Sequence, residues 1–479
     1  MRIQGTLLAC LALAACTAGP DFLRPQPPAA DRYLPAATDG SAAAAAAASA
    51  QQVELGHEIE GHWWQAFHSE AIDALVAEAL ARNPGLEAAS ATAQQAQELA
   101  AAAGGERLPQ LDLGAGAGRQ QYGHQFLGKV PEQPPFTYYA IGPRVGYTLD
   151  FAGGVARRVE RQAALAEEAR HRLDAAYLAV TGQAVLQAIT LASVEAQIAT
   201  AQAIVVQDQD NLRLVQRAFD EGSVPRADVL SARSQLAGDL TALPLLRQQG
   251  DQARHALAVV LGRAPADAPP GGVDLEHLVL PHSLPVSLPS ELAHRRPDIL
   301  AAEARLHAAT SAFGVATANL YPQVQLSAAV AQQALRPEQL FDAGSSAWSL
   351  IAGLTQPVFD GGTRRAERRA AEAGLKASAA DYQRTVLAAF GQVADVLTAL
   401  AHDAEELDAQ AQAQQAAASN LELARISYRE GNAGVLQVLD AQRQYQQARL
   451  GYVRALAQRY IDTVQLFLAL GGASADRPS

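Results

Sequence analysis

The sequence predicts an α+β membrane protein built on a duplicated repeat. Four transmembrane β-strands per chain would complete a twelve-stranded barrel in a trimer, continued by a long α-helical coiled-coil tunnel. Three observations carry this. Motifs recur in order along the chain, short segments alternate apolar and polar residues, and two very long runs favour helix without interruption.

The chain has 479 residues and a net charge of −12. That balance argues against nucleic acid as a partner, because phosphates demand Lys and Arg. Apolar residues make up 49% but aromatics only 5%. Alanine fills the gap, and alanine favours closely packed helices.

Residues 1–15 read as an export signal. Arg2 precedes a short apolar core, Leu7 to Leu13, too brief for a stable membrane anchor. Leu13-Ala14-Ala15-Cys16 matches a bacterial lipobox, which makes Cys16 the acylated first residue of the mature chain. A plain secretory signal with a chance cysteine is the alternative. Cys10 lies inside the signal, so cleavage leaves no free thiol, disulfide or cysteine metal site. Thr17, not Asp, follows the cysteine, which in enteric-type sorting directs passage to the outer membrane. No later run approaches 18 apolar residues, so the reading gives no transmembrane helix and leaves any crossing to strands.

Residues 16–55 read as a lipidated N-terminal tether. Pro20, Pro25, Pro27 and Pro28 are followed by alanines 42–48 between serines. A first repeat then spans 56–262, a proline-rich connection 263–288, a second repeat 289–471 and a tail 472–479. Leu108-Pro109-Gln110 recurs as Tyr321-Pro322-Gln323 (322 − 109 = 213), and Asn83-Pro84 as Arg296-Pro297. Glu221-Gly222 recurs as Glu430-Gly431 (430 − 221 = 209), and Leu261-Gly262 as Leu470-Gly471.

Each repeat reads as helix, strand, loop, strand, very long helix, turn, helix. Strands are expected near 108–122, 137–151, 322–334 and 346–359. Leu111, Leu113, Ala115 and Ala117 alternate with polar or small residues, as do Val145, Tyr147, Leu149 and Phe151. Val324, Leu326, Ala328 and Val330, then Trp348, Leu350, Ala352 and Leu354, complete the set. A lipid-facing barrel and a half-buried soluble sheet both fit this alternation.

The helices decide between them. From Gly154 to Glu221 and from Gly362 to Glu430 there is no proline. Each run would extend roughly 100 Å if continuous. Val393, Leu397, Leu400, Ala404 and Leu407 follow coiled-coil spacing. Four strands cannot close a barrel alone, and eight would be filled by their own side chains. Three copies give twelve strands with room for a lumen, and gather their helices into one tube.

In this order the motifs resemble the OprM/NodT branch of TolC-like outer-membrane factors. Gly19-Pro20-Asp21-Phe22-Leu23-Arg24-Pro25, Trp63-Trp64-x-x-Phe67 and Ala79-Leu80-x-x-Asn83-Pro84 open the match. Arg295-Arg296-Pro297-Asp298-Ile299, Gly314-Val315-Ala316, Pro357-Val358-Phe359-Asp360-Gly361-Gly362 and Val438-Leu439-Asp440-Ala441-Gln442 continue it. The resemblance implies a passive trimeric exit channel, anchored in the outer membrane at Cys16 and extending into the periplasm. A mixed belt would form from residues near 55–70, 263–288 and the C-terminus. The implied partners are a periplasmic adaptor and an inner-membrane transporter of the RND type, with no cofactor.

The resemblance also implies roles for particular residues. Leu436 and Asp440 share a helix face and would ring the periplasmic gate. A packed core leucine and a solvated aspartate are the plainer reading. Gln437 stands where TolC has a further acidic residue, so a second acidic ring is not expected. Glu221, Gly222, Ser223, Glu430, Gly431 and Asn432 would form tips that the adaptor engages. Gly153, Gly154, Gly361 and Gly362 would turn the chain from barrel to helix. Arg157, Arg158, Arg161, Arg364, Arg365, Arg368 and Arg369 suit a basic ring or a solvated helix face. His57, His62 and His68 fit no tight zinc spacing. No nucleophile elbow, phosphate loop or H-E-x-x-H helix occurs, so no enzyme is expected. A duct for one-step protein secretion and a coiled-coil lipoprotein without a pore are the alternatives; the second leaves the paired strands unexplained.

Overall fold

The computed structural model describes residues 17–26, 30, 32–34, 51–56, 61–121, 134–269 and 271–472. Cys16, His57, alanines 42–48 and the tail from 473 lie outside the described residues. In chain order the elements are β1 (Gln52–Leu55), α1 (Glu70–Arg82), α2 (Pro84–Gly105), β2 (Gln110–Gln120), β3 (Phe136–Leu149), α3 (Gly154–Asp220), α4 (Arg226–Leu240) and α5 (Ala242–Val260). Then follow β4 (Ser283–Val286), α6 (Pro289–Leu292), α7 (Pro297–Ala318), β5 (Gln323–Ala334), β6 (Ser346–Thr355), α8 (Thr363–Arg429) and α9 (Val435–Ala469). The chain divides into two units.

The first unit takes residues up to 25, 92–170 and 301–382. Its centre is an antiparallel sheet in the order β2-β3-β5-β6. Each repeat supplies one hairpin, and β3 against β5 joins them. The β3–β5 ladder skips Gly142 and Pro143 without changing register. Proline has no N–H to donate, and a Cβ on Gly142 would lie 2.1 Å from the Val330 carbonyl oxygen. The last strand ends short of the expected 359: β6 stops at Thr355, two residues before Pro357. The two edge strands of the sheet, β2 and β6, leave their large apolar side chains bare, with Trp348 77% exposed and Leu111, Leu113, Leu350 and Leu354 similarly so.

The second unit takes residues 26–91, 171–300 and 383–479. β1 and β4 pair in parallel there. Where it is described, the expected tether is fixed: Gln52–Leu55 forms a strand and Tyr33 Oη donates to the Ser287 carbonyl, 2.9 Å. Trp63 stacks on Phe467 at 5.4 Å, and Trp63, Trp64 and Phe67 are buried. Along residues 386–400 of α8 the buried positions are Val386, Ala389, Val393, Val396 and Leu400, spaced three and four apart. Val393 and Leu400 of the expected coiled-coil seam are among them, whereas Leu397, Ala404 and Leu407 are half-buried and Val396 takes the place of Leu397.

The duplication shows in the bonds that close each repeat. Pro84 and Pro297 both open a helix, where a missing N–H costs nothing. Asn83 Nδ2 donates to the Val260 carbonyl, 2.8 Å, and Arg296 Nη1 to the Ala469 carbonyl, 2.7 Å. Different side chains thus satisfy the equivalent carbonyl at the end of each returning helix. That returning helix differs between repeats. α9 is continuous over 35 residues, whereas the first copy divides at Thr241 into α4 and α5. Pro244 explains the break, because it withholds the N–H that a continuous helix needs.

Against expectation, α3 and α8 each contain an 18-residue stretch apolar enough to cross a membrane, with mean hydropathy of 1.5 and 1.3. Alanine and leucine raise these averages. Both helices are 67 residues long, well beyond the roughly 20 that span a bilayer. Over half of the α3 stretch is buried in protein.

Candidate functional site

The strand-to-helix turns belong to the first unit. Gly153 takes φ +71°, and Gly361 and Gly362 take +66° and +89°, the left-handed region that disfavours a side chain. Gly154 instead begins α3; a Cβ there would lie 3.2 Å from the Ala318 Cβ. An aspartate caps each helix start, which the sequence reading missed. Asp150 accepts from the Val155 N–H at 2.9 Å and the Ala156 N–H at 2.7 Å. Asp360 accepts from the Gly362 N–H at 2.9 Å and the Arg364 N–H at 3.2 Å. These backbone donors hold the Asp360 carboxyl below its usual range. The readable signal was an Asp just before each long helical run.

The arginines beyond the turns do not act alike. Arg157 is 4% exposed and ion-paired to Asp21 at 2.6 Å and Glu160 at 2.7 Å. Arg158 pairs with Glu106, Arg364 bonds the Asn319 carbonyl, and Arg368 lies 5.5 Å from the Phe313 ring centre. Arg157 is thus neither a ring nor a solvated-face residue, because burial forces a charge to find partners.

The tips belong to the second unit. Gly222 and Gly431 take φ +73° and +77°. Each closes a Schellman motif: Ser223 N–H donates to Ala218 at 2.8 Å, and Asn432 N–H to Ser427 at 2.9 Å. Glu221, Ser223, Glu430 and Asn432 are exposed around them. Val215, Val229, Ala232 and Val435 pack behind the tips as one apolar cluster.

Two faces of α9 separate cleanly. Val435, Val438, Ala441 and Gln442 are buried, with Val438 and Ala441 against Leu421 and Ala424 of α8. Leu436, Gln437, Asp440, Arg443 and Gln444 face away from these contacts. Leu436 is 52% exposed, so it is not a packed core leucine within this chain. Asp440 is ion-paired to Arg443 and accepts from Gln444 at 2.8 Å. Arg443 lies three residues on along the same helix, close enough to pair from spacing alone.

Behind this stripe lies a polar network. Asn211 Nδ2 donates to Gln442 at 2.7 Å, and Gln442 Nε2 to Asp208 at 3.2 Å. Asp208, 3% exposed, faces Asp239 of α4. Burial, then the neighbouring Asp239, push its carboxyl up to about 7. A second pair, Asp462 and Asp403, lies between α9 and α8, and burial with that neighbour raises Asp462 to about 7.

His62 meets Trp64 edge-on at 5.2 Å and His68 ends the short turn at Trp63–Phe67 with φ +49°. No group of metal-binding side chains occurs among the described residues.

A family model described as "Outer membrane efflux protein" matches residues 75–263 and again 288–472, one match per repeat. The pyoverdine export outer membrane protein OpmQ of Pseudomonas putida is 33% identical over 87% of this chain and 89% of its own length. The toluene efflux pump outer membrane protein TtgF, also of Pseudomonas putida, is 29% identical over 96% and 95%. The solved outer-membrane channel OprN superposes with a TM-score of 0.86 at 28% identity, over 96% of this chain and all of its own.

Proposed function

The chain belongs to the outer membrane efflux protein family, and from that premise we propose how its parts work as a channel. Its fold is TolC-like, with long helices and four antiparallel strands per chain in a duplicated domain, and its role is that of an efflux channel, not an enzyme. Three copies close a twelve-stranded barrel, and their helices form the tunnel below it. The observation that carries this reading is the sheet itself. β2 and β6 are open edges at its two ends, and the large apolar side chains on these two strands stand exposed. Open edges demand pairing, bare leucines and tryptophan suit lipid, and neighbouring copies with a membrane supply both.

Leu436 and Asp440 gate the periplasmic end, with Arg443 neutralising part of the acidic ring. Glu221 to Ser223 and Glu430 to Asn432 receive the adaptor. Residues 1–15 are removed and Cys16 carries the lipid. Relatives named for pyoverdine export and for toluene efflux each align with most of this chain, which supports a duct whose cargo is chosen by the transporter and adaptor that load it.

Single-channel conductance in planar bilayers tests the gate. The parent should show a small conductance and Leu436→Ala/Asp440→Ala a clearly larger one. An unchanged pore would remove the gate from these residues. No conductance from inserted trimers would overturn the channel and return the chain to a structural lipoprotein.

A further inference from the structure

Residues 17–25 were expected to be slack. They are instead bonded along their length to the first unit. The Ala18 N–H donates to the Ala152 carbonyl at 2.8 Å. Arg157 reaches three points on the segment: Asp21 Oδ1 at 2.6 Å, the Ala18 carbonyl at 3.3 Å and Thr17 Oγ1 at 3.4 Å. Phe22 stacks on His307 at 4.3 Å, and His307 Nε2 lies 2.9 Å from Glu160, which also pairs with Arg157. Arg24 Nε donates to Glu303 at 2.7 Å. Arg157 and Glu160 come from α3 of the first repeat, Glu303 and His307 from α7 of the second.

The bed beneath the segment lacks side chains where they would obstruct it. A Cβ on Gly153 would lie 2.9 Å from Thr17, and one on Gly314 would lie 3.0 Å from the Ala18 carbonyl oxygen. Gly19, at φ +85°, would press a Cβ to 2.6 Å from Gly314 Cα. A loose leash needs neither such a bed nor a buried guanidinium committed to it.

We propose that residues 17–25 form a fixed strap, fastened by Arg157, that holds the acylated end of the chain at the β3-to-α3 turn and ties the two repeats together there. Thr17 is bonded directly to Cys16, and one residue spans at most about 3.8 Å between Cα atoms. The lipid therefore leaves the protein at one set level beside the barrel, in the membrane face nearest Gly153. This level rests on the reading that Cys16 is acylated; the strap itself does not. Arg157 is a positioning residue here.

The test uses the full lipidated chain in phosphatidylethanolamine/phosphatidylglycerol nanodiscs, with a nitroxide on Leu23→Cys, an exposed strap position. In the parent background the label should move slowly. In Arg157→Met and in Asp21→Ala the freely moving fraction should rise roughly tenfold, as expected for losing charge-assisted bonds. Arg158→Ala, whose partner is Glu106, should leave it unchanged. Asp21 is 82% exposed, so its loss cannot unfold the body. A label equally restricted, or equally mobile, in all four backgrounds would overturn the strap. Nitroxide uptake by the parent without Leu23→Cys would show a free thiol at Cys16; that would overturn the lipid level, with label motion still deciding the strap.

Discussion

Two carboxylates packed face to face are acceptors on both sides. Asp208 Oδ2 is buried without a donor, and a proton shared with Asp239 is what lets the pair bond. The sign of the resulting pH effect follows from the proton count. Asp208 titrates near 3.8 in the unfolded chain and near 7 in the folded one. Between those values the folded state keeps a proton that the unfolded state has released, so stability falls as pH rises and the contribution is gone above about 7. Asp462 behaves alike. The parent protein should lose roughly 1 kcal/mol per pair between pH 6 and pH 8, read as a falling thermal midpoint. Asp208→Asn/Asp462→Asn should hold its midpoint nearly level across that range. A parallel decline in the double variant would mean that neither pair holds a proton. None of this was legible from sequence, because Asp208 and Asp239 sit on different helices and only the turn at Gly222 sets their register. Arg157 was hidden for a related reason. Beside Arg158 and Arg161 it reads as one more solvated charge, and one of its two counter-ions, Asp21, lies far back in the chain.

The elements were more legible than their ends. Alternation gave the four strands, and proline-free runs gave α3 and α8, because period and propensity are local properties. Where a hairpin stops, or where the first returning helix breaks, depended on Pro357 and Pro244, each visible yet easily outvoted by its neighbours. The tip glycines allow a sharper check. Nothing lies within 4 Å of a Cβ at Gly222 or Gly431, so substitution there meets only the cost of the left-handed backbone. Gly222→Ala and Gly431→Ala should each destabilise by about 1 kcal/mol. Gly374→Ala, equally uncrowded but inside α8, should stabilise by about 0.5–1 kcal/mol. Denaturant midpoints of the three variants, measured side by side, would expose an error if all shifted the same way.

At the scale of the molecule, the sequence motifs carried the family, which the family match shows, and strand counting carries the proposal of three copies. The sheet order gives that number a direct check. β3 and β5 always stand between β2 and β6 within one chain. A scan of cysteine pairs, one on each edge strand, should therefore yield disulfides only between chains, with a ladder ending at three. A ladder ending at two, or cross-links within single chains, would break the twelve-stranded reading. The open edges also carry a genetic consequence. A barrel closed by three chains has no independent subunit. When a parent allele and a defective one are expressed equally and mix at random, only about one assembly in eight is free of the defective chain. Lesions in β2 or β6 that still permit pairing but spoil the pore should therefore be dominant, whereas lesions that abolish pairing should be recessive.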